Sequence, residues 1–333
     1  MKTIVVIGAL GVDRIMIVPR FPKTGESTEA SHSEKSLGGK GANTALSTYR
    51  SCHNKPSLDA GDGAIRVKMI GKAGDDHYGV TLIQELLEND IAISGVAVVP
   101  RLPSNERFVM IDGETHESRC VFSPGATAAW KREDFSYCEQ FGGDEWPHLI
   151  VAQMEIDKKV VETMIHTAGE AGIPFCLNAT PASPIEPLLY RLITHLVVNE
   201  SGAATLLDCT RDEVEEDRPK AAQRFLDLGV ENVVITLGVK GAYYANAEVS
   251  GHCAGYPVRI IDTTGADDVF TGAYASDYVR QMSSPSGEWD IESAIVRANK
   301  AAAISIGKMG AQGHIPWADE IDQFDMMAEM TFD

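Results

Sequence analysis

Thr3-Ile4-Val5-Val6-Ile7, followed at once by Gly8, is a continuous run of β-branched residues. A strand with one wet face alternates polar and apolar residues; an unbroken run belongs to a strand buried on both faces, as in a parallel sheet covered by helices. Similar short runs recur at Val67–Ile70, Leu149–Ala152, Phe175–Leu177, Leu196–Val198 and Val233–Thr236. Between them lie helical periods spaced i, i+3, i+4, i+7, such as Ala42, Ala45, Leu46 and Tyr49, or Ile291, Ala294, Ile295 and Ala298. The alternation predicts an α/β fold with a central, mostly parallel sheet flanked by helices. Two segments break the rhythm. Ile15–Val18 with Glu26–Ser36, and Arg107–Ile111 with His116–Phe122 around Asp112-Gly113, read as hairpins of a small β flap, the Asp-Gly pair favouring a tight I′ turn. Ser51–Ala64 reads as a surface insertion, and Thr210–Pro219 as an acidic loop or helix start.

Composition narrows the function. At 333 residues and 44% hydrophobic the chain has ample material for a core, and 48 acidic against 29 basic side chains leave a formal charge of −19. That charge gives no generic attraction to nucleic acid or to anionic membranes, so neither is expected as a partner. The six cysteines lie far apart without a C-x-x-C pair, as expected of free thiols in a reducing, cytoplasmic setting. The opening apolar run is too short for a signal segment, and no stretch reaches the ~18 apolar residues of a membrane helix.

Three motifs could carry chemistry. Leu37-Gly38-Gly39-Lys40-Gly41-Ala42-Asn43 is a glycine cluster running into a helix, suited either to close backbone approach by a ligand or to a plain turn with a solvated lysine. It lacks the Walker A pattern. Ile261-Asp262-Thr263-Thr264-Gly265-Ala266-Asp267-Asp268-Val269-Phe270 leads into another helix, whose free N–H groups make an anion site; its carboxylates serve either as a base or as complements to the helix dipole. Thr236-Leu237-Gly238-Val239-Lys240-Gly241-Ala242 suits a nucleotide lying over backbone, or an ordinary turn. Gly8-Ala9-Leu10-Gly11 is not the dinucleotide fingerprint, and His166 and His195 have no zinc spacing.

Together these motifs resemble the ribokinase, or PfkB-type, carbohydrate kinase family, and within it the ribokinase branch. The pieces fall in family order: Asp13, Pro22-Lys23-Thr24-Gly25-Glu26, Gly38 to Asn43, Gly74-Asp75-Asp76, Gln153-Met154-Glu155, Asn199-Glu200, Thr236-Leu237-Gly238, Asp262 to Ala266, and Gly310-Ala311-Gln312 before Pro316-Trp317. The resemblance implies one domain with a Rossmann-like core (1–10, 38–98, 122–333) and a β-sheet lid (11–37, 99–121) that pairs two chains into a homodimer. It implies a sugar held by the segment around Gly11, Asp13, Gly39, Lys40, Gly41, Asn43 and Glu155, with Asp268 as the base. ATP would lie on Asn199, Thr236, Leu237, Gly238, Val239, Lys240, Gly241 and Asn299, and the N–H groups of Gly265, Ala266 and Asp267 would meet the transferring phosphoryl group. Mg²⁺ would bridge the phosphates. A monovalent cation, K⁺, would sit near Asp262, Thr264, Ser305, Lys308, Gly310 and His314.

Three positions depart from the family pattern. Asp267 replaces a glycine beside the base; facing the phosphoryl group about 4 Å away, it would repel by several kcal/mol at an effective dielectric near 20, whereas pointing outward it would keep its backbone N–H and add only a favourable dipole term. Gly202 replaces the glutamate of an N-x-x-E motif, and the adjacent Glu200 is not assumed to substitute for it, because neighbouring residues point in different directions. Gly11 replaces an asparagine that contacts a sugar hydroxyl. Three readings follow: an ATP-dependent sugar kinase, most simply for ribose; a fold relative that binds without efficient transfer; or a kinase for another alcohol. A nucleoside would need aromatic rings, for which Phe21 and Phe108 are candidates.

Overall fold

The computed structural model describes residues 1–55, 65–115, 117–143, 145–308 and 310–324. The opening run forms β1 (Lys2–Ile7), with Val5 and Ile7 facing one layer of the core and Ile4 and Val6 the other. The first flap segment follows as β2 (Gly11–Val18) and β3 (His32–Gly38), leading into α1 (Lys40–Cys52). Next come β4 (Ile65–Gly74), α2 (His77–Glu88), β5 (Ala92–Val99), β6 (Asn105–Asp112) and β7 (Ser118–Ser123). The second half holds α3 (Glu139–Gly142), β8 (Leu149–Gln153), α4 (Lys158–Glu170), β9 (Phe175–Asn178), β10 (His195–Asn199) and α5 (Glu200–Leu207). It ends with α6 (Arg211–Glu216), α7 (Arg218–Asp227), β11 (Asn232–Thr236), β12 (Ala242–Ala245), β13 (Ser250–Cys253), α8 (Ala266–Met282), α9 (Ile291–Ser305) and α10 (Ala318–Asp322).

Nine strands form the central sheet in the order β13-β12-β11-β10-β9-β8-β1-β4-β5, parallel from β11 to β5 and antiparallel at β12 and β13. Ile150, Leu196 and Val233 pack with α4 and Phe225 on one face, while Val151, Val197 and Val234 pack with α1, α8 and α9 on the other. Burial on both faces is why these runs never alternate. The carboxyl ends of β1, β8 and β11 open on one side, where ligands of open α/β sheets bind.

The separate small sheet has the order β3-β2-β6-β7. Its parallel β2–β6 pair sets Gly11 against Asn105 and Asp13 against Arg107. The Asp112-Gly113 turn differs from expectation. Strands β6 and β7 close at Ile111 and Ser118, a longer loop than a two-residue I′ turn. The Gly113 N–H donates to Val18 O (2.8 Å), which draws it toward β2, and Asp112 Oδ1 accepts the N–H groups of Glu114 and Thr115 instead. Of the expected surface insertion, residues 56–64 lie outside the described residues, as does His116. Thr210–Pro219 is a pair of helix starts, with Thr210 capping α6 and Asp217 capping α7.

Candidate active site

Two helix starts meet at the carboxyl ends of the sheet. Gly39 (φ 87°) and Gly265 (φ 81°) cap α1 and α8 in conformations that disfavour any side chain, and a Cβ on Gly39 would lie 2.6 Å from Ala9 O. The helices approach closely: Gly272 of α8 abuts Ser47 of α1, whose hydroxyl donates to Val269 O (2.8 Å). That contact brings Lys40 and Asn43 to Asp268. Lys40 Nζ lies 3.2 Å from one carboxylate oxygen of Asp268, and Asn43 Nδ2 donates to the other at 3.0 Å. Because the Asn43 amide nitrogen faces a carboxylate, its oxygen must turn the other way, where it accepts from Gln312 Nε2 (2.9 Å). Gln312 therefore fixes the orientation of Asn43.

A small cavity of about 30 Å³ lies here. Gly11, Asp13, Gly39, Lys40, Asn43, Glu155, Gly265 and Asp268 all border it, so most residues expected at the sugar converge. Gly41 does not; its Cα lies under Gly8, where a Cβ would come within 2.5 Å of backbone, and its part is to let α1 approach β1. Burial works against the Lys40 charge, but Asp268, Glu155 and Asp267 outweigh it and raise its pKa. Burial pushes the Glu155 carboxyl up, opposed by Lys40, whose backbone N–H it accepts at 2.8 Å. Arg107 grips both oxygens of Asp13 (2.9 and 2.7 Å), and burial still leaves that carboxyl raised. Asn105, Arg107 and Phe122 are lining residues that sequence reasoning missed. Their signal lay in the β2–β6 pairing, which a single sequence does not reveal.

A larger cavity of about 490 Å³ begins on the far side of the α8 start. Thr236, Gly238, Val239, Gly241 and Asn299 border it, as do Ala266 and Asp267. Leu237 and Lys240 do not; Leu237 is buried beneath the loop and Lys240 is exposed. Asn199 also lies elsewhere, capping α5 by accepting the Gly202 N–H (2.7 Å). Sequence reasoning missed the wall formed by Tyr256, Pro257, Val258 and Ile260, which follows β13 without a glycine or charge signature. Of the three expected phosphoryl donors, the Ala266 N–H already donates to Thr263 O (3.2 Å). Near this cavity Asp262 ties two loops together, accepting Thr264 N–H (2.9 Å) and Gly310 N–H (3.0 Å). Ser305 donates to Ala302 O, Lys308 is exposed and His314 is half-buried.

Residues 1–318 match the pfkB family of carbohydrate kinases. The chain belongs to that family. A ribokinase of Haemophilus influenzae is 30% identical over 326 residues, spanning 97% of this chain and 98% of the relative. A deoxyribokinase of Salmonella typhi is 29% identical over 322 residues, spanning 96% and 98%. The crystal structure of a ribokinase from Thermotoga maritima matches with a TM-score of 0.78 at 27% identity, covering 98% of this chain and 100% of that one.

Within this pfkB-family fold the departures acquire positions. Glu200 is engaged by Arg218 (2.7 Å) and Arg211 (3.7 Å), so it serves α5 and its neighbours rather than the cavity. A Cβ on Gly202 would meet Val198 at 2.7 Å and Asn199 Oδ1 at 3.1 Å, so the local packing has closed over that position. Asp267 borders the larger cavity, where burial raises its carboxyl pKa against the pull of Lys40. Phe21 and Phe108 are covered by Arg119 and Arg14, with guanidinium carbons 4.1 and 5.5 Å from the ring centres, and neither borders the small cavity. Among the described residues no helix is long and apolar enough to cross a membrane, and all six cysteines are free.

Proposed function

We propose that this pfkB-family kinase moves the γ-phosphoryl group of ATP onto the hydroxymethyl group of a neutral sugar, ribose in the simplest case. One observation carries the reading: a single helical turn borders both cavities, with Asp268 on the small one and Ala266 and Asp267 on the large one. Asp268 takes the hydroxyl proton; the freed oxygen bonds to the γ-phosphorus as the bond to the bridging oxygen breaks, and ADP leaves with that electron pair. The chain contributes positioning and charge more than covalent help. Lys40 and Asn43 hold the base, and the α8 start faces the developing negative charge.

A neutral substrate fits the charge pairing. Both cations at the small cavity are engaged, Arg107 by Asp13 and Lys40 by Asp268, which leaves no unpaired cation for a sugar acid. Phe21 and Phe108 are engaged by arginines, so a nucleoside would have to place its base on Phe122, the ring that borders the small cavity. A cavity of about 30 Å³ holds about two waters, so a sugar would enter as the small sheet lifts, which would make that sheet a lid.

Among the described residues no three His, Cys, Asp or Glu side chains converge as a metal cage. Mg²⁺ needs few protein carboxylates when substrate phosphates hold it, and Asp267 is the acidic side chain bordering that cavity. Mg²⁺ carried on ATP would neutralise phosphate charge there. K⁺ would be held near Asp262, Thr264, Ser305, Lys308, Gly310 and His314, partly by main-chain oxygens. Two chains would pair through the lid, giving a dimer mass by light scattering.

A second reading, binding with weak transfer, is favoured by Asp267 and Gly202. The test is ADP release with ATP and Mg²⁺, with and without K⁺, across pentoses, hexoses, sugar acids and nucleosides, against Asp268→Asn. Ribose-dependent turnover about a thousandfold above that variant is expected. Turnover no greater than the variant's overturns the kinase reading, and a ribose-dependent rise in Tm without turnover selects the second.

A further inference from the structure

The family resemblance leaves one sugar contact missing at Gly11, and the structure shows what fills its place. Gly11 opens β2 and pairs directly with Asn105 at the start of β6. A Cβ on Gly11 would lie 2.9 Å from Asn105 O, 3.0 Å from its Cγ and 3.2 Å from its Cβ. The Asn105 side chain thus occupies the volume that any side chain at position 11 would need.

Asn105 is only 3% exposed and borders the small cavity beside Asp13, Lys40, Glu155 and Asp268. Among the described residues its carboxamide has no hydrogen-bond partner, whereas the Asn43 amide is satisfied at both ends. Its nitrogen and oxygen are not sealed in packed protein; they keep access to the cavity, where a ligand hydroxyl can meet them. Its backbone is firmly placed. Ser104, the preceding residue, donates its N–H and its hydroxyl to Asp76 (both 2.7 Å), and Asp76 also caps α2.

We propose that Asn105 is a substrate ligand: its carboxamide meets a sugar hydroxyl from strand β6, in place of an asparagine on β2. This rests on the sugar-kinase reading above. The chemistry suits a neutral polyol. A hydroxyl both donates and accepts, as does an amide, whereas Asp13, Glu155 and Asp268 accept and Lys40 and Arg107 donate. The unsatisfied amide also penalises a deoxy sugar lacking that hydroxyl, because a site built to hydrogen-bond an OH rejects the analogue without it.

The experiment measures ribose and deoxyribose binding by calorimetry, without ATP, for the wild type, Asn105→Ala, Asn105→Gly, Gly11→Asn and the double variant Gly11→Asn/Asn105→Gly. Tm is recorded for each. Asn105→Ala is expected to weaken sugar binding at least tenfold with Tm little changed, since it removes no hydrogen bond within the protein. Gly11→Asn alone should weaken binding by crowding Asn105, and the double variant should recover affinity over both single ones. Equal sugar affinity in the wild type and Asn105→Ala overturns the proposal while leaving the kinase reading intact. A double variant that folds but binds no better than Asn105→Gly also overturns it. A wild type that binds none of the sugars used in the turnover test overturns both readings together.

Discussion

The two cavities that meet at the start of α8 are built from different materials. The smaller is walled by side chains in fixed pairs: Arg107 on Asp13, Lys40 and Asn43 on Asp268, the Lys40 N–H on Glu155. The larger is walled by glycine backbone and by apolar groups such as Val239, Pro257, Ile260 and Ala302. A site of paired polar groups loses much when one member changes, because the remaining partner stays buried and unsatisfied. A site of backbone and apolar surface tolerates change more readily. Two of the departures differ as well, although Gly202 borders neither cavity. At Gly11 the lost side chain has a neighbour, Asn105, in its volume, whereas at Gly202 packing has closed over the gap and Glu200 has turned to arginines.

The largest expected effect tests how strictly the small cavity depends on its pairs. Gln312 does not itself line the small cavity, yet its bond to Asn43 decides which end of that amide faces Asp268. Gln312→Ala should lower kcat a few-fold. Gln312→Glu should lower it about a hundredfold, because a carboxylate there attracts the Asn43 amide nitrogen and turns its oxygen toward Asp268, a change of about 3 kcal/mol. Steady-state kinetics check this, with KM for ATP expected to hold. Equal effects of the two variants would make Gln312 a packing residue.

The next prediction addresses the larger cavity. If phosphoryl transfer takes place at the larger cavity as proposed, Asp267→Gly removes a negative charge beside it and should raise kcat roughly tenfold, ~1.4 kcal/mol, after screening and Mg²⁺ have reduced the bare repulsion. Burial raises the Asp267 carboxyl pKa, so lowering the pH neutralises it and the advantage of the glycine variant should shrink. A drop in kcat at every pH would show that Asp267 assists transfer and that the nucleotide side has its own replacement for the absent glutamate.

The smallest effect on activity concerns what both cavities stand on. His195 is fully buried beneath α8, with Nδ1 2.9 Å from the Tyr274 hydroxyl, and burial pushes its pKa down to about 3. Its ordinary value is 6.5. Below that pH the unfolded chain binds a proton that the folded chain refuses. Stability from this group is complete above pH 6.5 and is lost toward pH 3 at about 1.4 kcal/mol per unit. Urea unfolding at pH 7 and pH 5 should show the wild type losing about 2 kcal/mol more than His195→Phe. Equal losses would mean that His195 carries its proton in the folded state.

The parallel sheet was legible because burial on both faces leaves an unbroken apolar run, as in Thr3–Ile7, and such a run needs no knowledge of its neighbours. Lys40, Asn43 and Asp268 were legible because a glycine before a helix marks a place where backbone must approach something. Asn105 and Arg107 were not, since their meaning comes from register: each faces a residue more than ninety positions earlier, across a parallel pair. The Asp112-Gly113 turn misled for a related reason. Its local preference for a tight hairpin lost to the bond between Gly113 and Val18.

The sequence by itself determined the layers of this protein, its strongly acidic charge and the helix starts on which chemistry could be built, because periodicity and glycine placement are local properties of a chain. Tertiary structure alone decided that Asp267 borders the larger cavity, that Glu200 belongs to Arg218, and that Asn105 occupies the space beside Gly11. Those outcomes depend on which distant segments share a few ångströms of space, and packing across the sheet, rather than any local preference, settles that.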